Sequence, residues 1–209
     1  MERVTFELDE DTALEKVGEG LYRGDVSDRW MVGGGPNGGY LAAFCLQAVL
    51  AESPMPDPLT MTVHYLSRPL SEIAEVSVSA LRLGRGHATF GVELSQSGER
   101  RCVGLVTCGK LRDLGPLDFQ PVAPDVPPPA TSVAISRIGE HSSLRDRIEI
   151  RAARSEDLFF LRTTAGQAAT GGWTRLADGR PTDALSVALF LDCWPPAVFG
   201  RTMRADILG

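Results

Sequence analysis

Residues 40–51 form a helix-length segment in which apolar residues occupy nearly every face. Asn37, three residues before it, is a residue type that caps helix N-termini. A helix with a single apolar stripe can lie on the surface of a domain, whereas a helix that is apolar all round is enclosed by other elements. The chain must therefore supply enough structure to surround this helix, which is the strongest constraint on its fold.

The segments that follow the helix predict strands. They are rich in Val, Thr and other strand-forming residues, and short turns such as Ser97-Gly98 separate most of them. They cover residues 59–66, 73–83, 88–96 and 101–111. Two shorter strands are predicted before the helix, one starting at Phe6 and Leu8 and one over residues 20–26. Because a mostly antiparallel sheet wrapped around the helix buries it most economically, we expect an α+β fold.

A proline-rich segment divides the chain. Six of the 14 prolines lie between residues 113 and 131, a composition typical of extended linkers. After this segment the order of elements repeats. The pattern predicts strands over residues 136–152 and 159–169, a turn at Gly171-Gly172-Trp173, and a second apolar helix from Pro181-Thr182.

The repeated order predicts an internal duplication. Shifting the chain by 145 positions superposes Pro36-Asn37 on Pro181-Thr182 and places Gln47 opposite Asp192. The second copy is shorter than the first, since a copy of equal length would end near residue ~255 on this repeat period. We therefore expect its sheet to be incomplete, and the chain to be truncated, at Gly209.

Composition excludes several classes of function. Lys and Arg number 21 against 27 Asp and Glu, and the net charge of −6 argues against nucleic-acid binding. No apolar run reaches the roughly 18 to 20 residues that cross a bilayer, and residues 1–16 lack a secretion signal, so we expect a cytoplasmic protein with no membrane contact. The four cysteines are scattered without metal-ligand spacing, which predicts apolar core residues, no metal and no cofactor.

The Gly-rich segment 33–38 formally matches the dinucleotide-binding fingerprint, but it lacks the buried strand before it and the acidic residue about 20 residues later. It is better interpreted as a flexible entry to a helix N-terminus, whose free N–H groups can also bind an oxygen atom. None of the three histidines has a partner at motif spacing.

Asp192 is the one polar residue that stands out. It follows Ala188-Leu189-Phe190-Leu191 in a segment predicted as an apolar helix. A carboxylate in such a helix costs several kcal/mol unless it is paired and hydrogen-bonded. Asp192 is therefore either a functional group or a residue on one wet face, and the pattern alone leaves both open.

Four segments together resemble a known family. They are Gly34–Leu41, Val63–Pro69, Leu83–Gly86 and Ala188–Asp192 with the prolines that follow it. In this order they are similar to the TesB-like acyl-CoA thioesterases, which consist of two fused hotdog domains. The resemblance implies a double hotdog, each copy an antiparallel sheet wrapped around a central apolar helix, with an N-terminal hotdog at residues 1–112, a linker at 113–134 and a partial C-terminal hotdog at 135–209.

The resemblance also implies a function in lipid metabolism, the hydrolysis of acyl-CoA to free acid and CoA. Asp192 matches the family's Asp that activates water together with a Thr and a Gln from later strands, which would lie beyond Gly209. Helix N–H groups near Gly38, or near its counterpart in the second copy, would bind the oxyanion, and Gly38 and Gly39 are candidate substrate-binding residues. Arg68 and Arg85, with Arg82 beside them, are the candidates for the phosphates of CoA.

Two other functions remain open. A chain without a complete water-activating site would be a non-catalytic acyl-CoA or acyl-chain binding protein. Residues 22–28 faintly resemble the Gly-Asp segment of hotdog-type enoyl-CoA hydratases, but the Asn-Pro and His that should follow are missing. An incomplete second sheet would leave an open edge, so we also expect a homo-oligomer.

Overall fold

The computed structural model describes residues 5–112, 121–135, 142–153 and 168–200. Within these ranges the elements follow one another as α1 (Glu7–Asp11), β1 (Glu15–Gly18), β2 (Leu21–Asp25), β3 (Met31–Val32), β4 (Gly35–Pro36), α2 (Gly38–Glu52), β5 (Asp57–Tyr65), β6 (Ile73–Leu83), β7 (Ala88–Gln96), β8 (Glu99–Gly109), β9 (Val133–Ala134), β10 (Ile148–Ala152), β11 (Gly172–Leu176) and α3 (Ala184–Phe190). Short 3₁₀ turns lie at Asp28–Trp30, Ser143–Asp146 and Ala197–Gly200.

The first half is built on one antiparallel sheet of six strands in the order β1-β2-β6-β7-β8-β5. Strands β6, β7 and β8 are consecutive hairpins, and the predicted Ser97-Gly98 turn joins the last two. Both turn residues have positive φ, 52° and 78°, as a two-residue turn matched to the strand twist requires. Strand β5 forms an edge, because among the described strands it pairs with β8 alone.

Helix α2 is enclosed, as its composition predicts. Ten of its fifteen residues are buried, and it packs against β5, β6, β7 and α3. The Asn37 side chain caps it by accepting a hydrogen bond from the Tyr40 N–H at 3.0 Å. Tyr40 stacks on Trp30 and meets Phe44 edge to face, with ring centroids 5.7 and 6.1 Å apart.

The second half contributes a three-stranded sheet, β11-β10-β9, and helix α3. The start of α2 lies against the end of α3. Their backbones approach so closely that a Cβ atom on Gly39 would lie 2.5 Å from the Leu189 carbonyl oxygen. The two helices therefore form the contact through which the two halves of the chain share a core.

Arg180 is a second link between the halves. Its guanidinium donates to Asp9 in α1 and to both carboxylate oxygens of Asp183, and only 7% of the Arg180 side chain is exposed. Asp183 in turn caps α3 by accepting from the Ser186 N–H at 2.9 Å. The cap of α3 is thereby tied to the N-terminal segment.

The predicted strand at Phe6 and Leu8 is wrong, because these residues enter helix α1. The apolar pair is two residues apart, which suits a strand, but only Leu8 is buried. Three acidic residues, Glu7, Asp9 and Glu10, occupy the first turn, where the helix dipole favours negative charge.

Several predicted boundaries in the second half are also wrong. A 3₁₀ turn at Ser143–Asp146 interrupts the predicted 136–152 strand, so that in the described part of this segment the paired strand is Ile148–Ala152. Gly172 and Trp173 start β11 instead of forming a turn, because they pair with Ala152 and Arg151. Residues 136–141 and 154–167, with most of the predicted 159–169 strand, lie outside the described residues.

The end of the predicted linker is held on the second sheet. Val133 and Ala134 pair with β10 as strand β9, and the Trp173 indole N–H donates to the Pro127 carbonyl at 2.7 Å. The four cysteines are buried and form no disulfide, which confirms that they are core residues.

We expect Gly39→Ala to destabilise the protein by about 2 kcal/mol, since the new methyl group would force α2 and α3 apart. That loss corresponds to a decrease in Tm of about 4 to 8 °C in a chain of this size. Gly86→Ala is the matched control, because its Cβ would meet nothing within 4 Å. Equal Tm values for the two variants would contradict the close helix contact.

We expect the Arg180–Asp183 pair to make stability depend on acid pH. Burial acts to raise the pKa of Asp183, but the hydrogen bonds from Arg180 and Ser186 outweigh it and lower this pKa from 3.8 to about 2. A lowered carboxyl pKa stabilises the fold above pH 4, and this contribution is lost as the pH falls towards 2.

Nearly half of the Asp183 side chain is exposed, so solvent screens its ion pair with Arg180. In urea unfolding, we expect Arg180→Met to lower the free energy of unfolding by about 1 kcal/mol at pH 7 and by clearly less at pH 2.5. Arg23→Met, which breaks an exposed ion pair with Glu75, serves as the control. A cost of Arg180→Met that is the same at both pH values would contradict the role of Asp183.

Candidate active site

An apolar cleft of about 430 Å³ lies between α2, α3 and β5. It is lined mostly by aliphatic side chains from these three elements, and two polar side chains, Tyr65 and Asp192, stand where α2 begins. The lining residues are Gly39, Ala42, Leu46, Pro58, Leu59, Thr60, Met61, Val63, Tyr65, Ala184, Val187, Ala188, Leu191 and Asp192. The geometry suits an extended apolar group with its polar end near Asp192.

Asp192 lies outside α3, contrary to the prediction that it is part of an apolar helix. The helix ends at Phe190, and Asp192 is an exposed residue in the turn that follows. The predicted helix is too long because Leu191 continues the apolar run in the sequence, although in the structure this residue lies after the helix and is 83% exposed. The cost of burying a charge in a helix therefore does not arise here.

The Asp192 carboxylate is nevertheless held in place. Its Oδ2 atom accepts hydrogen bonds from Asn37 Nδ2 at 3.0 Å and from the Gly39 N–H at 3.2 Å. The Asp192 carbonyl oxygen accepts a second bond from Asn37 Nδ2, at 2.8 Å. The negative charge thus sits at the N-terminus of α2, where the helix dipole stabilises it.

The other carboxylate oxygen of Asp192, Oδ1, receives no hydrogen bond from any residue that the structure describes. One oxygen is therefore anchored and the other is available to a ligand in the cleft. This is the arrangement that a carboxylate needs in order to accept a proton from bound water without losing its orientation.

Tyr65, like Asp192, lies against Gly38. Its hydroxyl donates to the Gly38 carbonyl at 2.6 Å. Burial, and then the nearby Asp192 charge, raise the pKa of Tyr65 well above its usual value, so the phenol keeps its proton at neutral pH. A Cβ atom on Gly38 would lie 2.9 Å from Asp192 Oδ2 and 3.0 Å from the Tyr65 ring, which explains the glycine at this position.

Gly38 and Gly39 thus have packing roles that the sequence analysis did not foresee. The Gly39 N–H is occupied by Asp192, and the Tyr40 N–H by the Asn37 cap. In the first turn of α2, the Gly38 N–H is left without an acceptor among the described residues. Contact of these glycines with a substrate stays a prediction.

The predicted phosphate-binding arginines are separated from one another. Arg68 lies over Gly35, with its Cδ 3.0 Å from a Cβ placed there, at the end of the cleft that holds Asp192. Arg85 is in the β6–β7 turn, and the register of the sheet places this turn beside the start of β5. Since β5 runs for nine residues, about 26 Å, Arg85 and Arg82 lie towards the end remote from Asp192.

The described ranges contain no group of three or more His, Cys, Asp and Glu side chains that could hold a metal ion. None of the helices in this part of the chain combines the length and the apolar character that crossing a membrane requires. His64 lies on β5 and His87 just before β7, whereas His141 is outside the described residues.

Two contributions were missed at the level of sequence. Asn37 was identified only as a helix cap, although capping uses its carbonyl oxygen and leaves the amide free to bond a second partner. Tyr65 was noticed only as part of a family motif. The exposed end of β5 places its hydroxyl beside Gly38, a contact that depends on how the sheet curls and that no local pattern encodes.

Comparison with known proteins supports the resemblance. A family model described as the acyl-CoA thioesterase N-terminal domain matches residues 26–109, and one described as the C-terminal domain matches residues 119–206. No curated protein sequence matches the chain significantly.

Three solved structures illustrate the shared fold. A conserved protein of unknown function with a hot dog fold from Alicyclobacillus acidocaldarius is 26% identical, with a TM-score of 0.85 over 96% of this chain and 74% of that one. The tesB protein of Mycobacterium avium subs paratuberculosis is 19% identical, with a TM-score of 0.70 over 93% and 72%. An acyl-CoA thioesterase II, TesB2, from Mycobacterium marinum is 20% identical, with a TM-score of 0.66 over 88% and 68%. With the two domain models together matched along most of its length, the chain belongs to the acyl-CoA thioesterase family.

Proposed function

We propose that this protein hydrolyses acyl-CoA thioesters and that Asp192 orients and deprotonates the attacking water. The observation that carries the proposal is the Asp192 carboxylate at the polar end of an apolar cleft: its Oδ2 is anchored, and its Oδ1 has no partner within the described residues. Family membership supports a hydrolase that acts on thioesters. The cleft would receive the acyl chain, since its lining is aliphatic.

The reaction follows from this geometry. Asp192 Oδ1 accepts a proton from water as the water oxygen bonds to the thioester carbonyl carbon. The carbonyl oxygen becomes an oxyanion, and we propose as its donor the Gly38 N–H at the N-terminus of α2, which has no acceptor among the described residues. The tetrahedral intermediate then collapses, the C–S bond breaks, and the leaving CoA sulfur takes up the proton held by Asp192, which restores the carboxylate and yields a carboxylic acid and a thiol.

Arg68 is the better of the two proposed arginines for a CoA phosphate. It is exposed, carries a permanent charge, and lies over Gly35 near the end of the cleft that holds Asp192. Arg85 would meet only a group that extends to the far end of β5. The substrate-binding set that we propose is therefore Gly38, Gly39 and Arg68, with Arg85 at a distance.

We further infer that the two matched regions are two hotdog domains. Each contains an antiparallel sheet and a helix capped by a side chain, Asn37 for α2 and Asp183 for α3. The close packing of α2 on α3 is what a pair of such domains needs in order to share one core. On this basis we propose domains at residues 1–112 and 135–209 with a linker at 113–134.

Asp192→Asn should reduce the release of free thiol from acyl-CoA by about 10² to 10⁴-fold, since removal of a general base has this effect. The folded state should survive, because an amide oxygen can still accept from Asn37 and Gly39. Asp125→Asn, an exposed linker residue, is the control. The measurement is kcat/KM on a panel of acyl-CoAs, with Tm as a check on folding.

Wild-type turnover by Asp192→Asn would contradict the proposal. If the wild-type protein shows a ligand-induced increase in Tm without thiol release, the protein is an acyl-CoA binder and not a thioesterase. Consumption of enoyl-CoA without thiol release would identify a hydratase instead.

We also expect Val187→Trp to discriminate against long acyl chains, because Val187 lines the cleft and is 48% exposed, so that a larger side chain fits without disturbing the core. KM should rise several-fold for long-chain substrates and remain nearly unchanged for acetyl-CoA. Val122→Trp, at a 95% exposed linker position, is the control. A uniform change for all chain lengths would argue against the cleft as the acyl site.

A further inference from the structure

Asn37 makes more contacts than a helix cap requires. It is buried, with 5% of its surface exposed. Its Oδ1 accepts from the Tyr40 N–H at 3.0 Å, which is the capping bond. Its Nδ2 donates to the Asp192 carbonyl oxygen at 2.8 Å and to Asp192 Oδ2 at 3.0 Å. Both functional ends of this amide are therefore used, on two different elements.

Capping α2 and bonding to Asp192 require different chemical groups of the residue at position 37. Ser, Thr, Asp and Asn all cap helices well, because capping needs only a side-chain acceptor. Among them only Asn also carries an NH₂ group with two protons to donate. The bonds from Nδ2 to Asp192 are thus additional to capping, and they join the first half of the chain to the turn after α3.

The turn that carries Asp192 has little else to fix its side chain. Asp192 is exposed, and its only other side-chain bond within the described residues comes from the Gly39 N–H at the longer distance of 3.2 Å. A second donor on the same oxygen restricts rotation about the side-chain bonds. Restricting that rotation keeps Oδ1 in one orientation towards the cleft.

We propose that Asn37 is the positioning residue of this site: its Nδ2 holds the Asp192 carboxylate, and the backbone beneath it, in the orientation that leaves Oδ1 free for water. The inference rests on the proposed function, since it assigns to Asn37 a part in the same reaction. Asn37 acts through Asp192 and does not itself contact the reacting atoms.

The surroundings of Asp192 make a pH profile informative. The charged or titratable groups around it are Tyr65 from β5, with Cys45 and Cys102 beside that phenol, Cys193 from its own turn, with Arg145 beside that thiol, and Arg68 over Gly35. Burial raises the pKa of Cys193 to about 11, and the pKa of Tyr65 is raised further above neutrality. Arg68 and Arg145 are permanently charged, so none of these neighbours changes its charge in the acid range.

Asn37→Asp tests the proposal with almost no change of shape. The variant keeps a capping oxygen, loses the Nδ2 donor, and places a second carboxylate beside Asp192. Two adjacent carboxylates raise the apparent pKa of the pair. We expect the acid limb of the kcat/KM profile to move to higher pH by about one unit or more, and kcat at pH 7 to fall about 10-fold or more.

Asn37→Ser separates positioning from charge. Serine caps α2 about as well as asparagine, but it is too short to supply the bond to Asp192. We expect kcat to fall about 10-fold with KM nearly unchanged, and Tm to stay within about 4 °C of the wild type, the equivalent of roughly 1 kcal/mol. Asp183→Asn, a cap exchange at α3 away from this site, should leave kcat and the pH profile unchanged.

Wild-type kcat and pH profile in both Asn37 variants would overturn the proposal. If Asn37→Asp is too unstable to assay, Asn37→Ser decides alone. The titration of the Asp192 carboxyl carbon by NMR gives a reading independent of turnover: its pKa should rise in Asn37→Asp, and an unchanged value would overturn the proposal. Turnover that persists in Asp192→Asn would instead reject the proposed function, so the two failures are distinguishable.

Discussion

The contact between the start of α2 and the end of α3 is the interaction on which the rest of the structure depends. Helix α2 is apolar on every side and must be covered, and the sheet covers only part of it. Helix α3 covers another part at a distance that only a glycine at position 39 allows. Because α3 ends where α2 begins, the same packing brings Asp192 to Asn37. The same helix contact therefore buries the core and assembles the candidate site.

Much of the first half could be predicted from local pattern. Strands β6 and β7 have the predicted bounds, because alternation and turn residues define both of their ends, and α2 follows from its composition and its Asn37 cap. The second half was predicted less well. Its strands are short, and α3 begins at Ala184 with Asp183 as its cap instead of at Pro181-Thr182, since Arg180 holds the Asp183 carboxylate in the capping position. Local sequence does not encode such a long-range ion pair with Asp9.

In the candidate site, the sequence pointed to Asp192 but not to the residues that hold it. Asp192 attracted notice as a charge at the end of an apolar run, yet its partners could not be found by comparing the two copies. The shift of 145 residues set Asp192 opposite Gln47, which compares equivalent positions and not neighbouring ones. Because the end of one helix meets the start of the other, the actual neighbour is Asn37.

The caps of α2 and α3 differ in chemistry. At the start of α2 the Asn37 amide caps the helix through its oxygen, and its NH₂ group can still donate hydrogen bonds to a carboxylate. At the start of α3 a carboxylate caps the helix, and Arg180 neutralises it. A second anion would find no donor on that cap. The two caps are therefore not equivalent, and within the described residues only the cap of α2 donates a hydrogen bond to a carboxylate, that of Asp192.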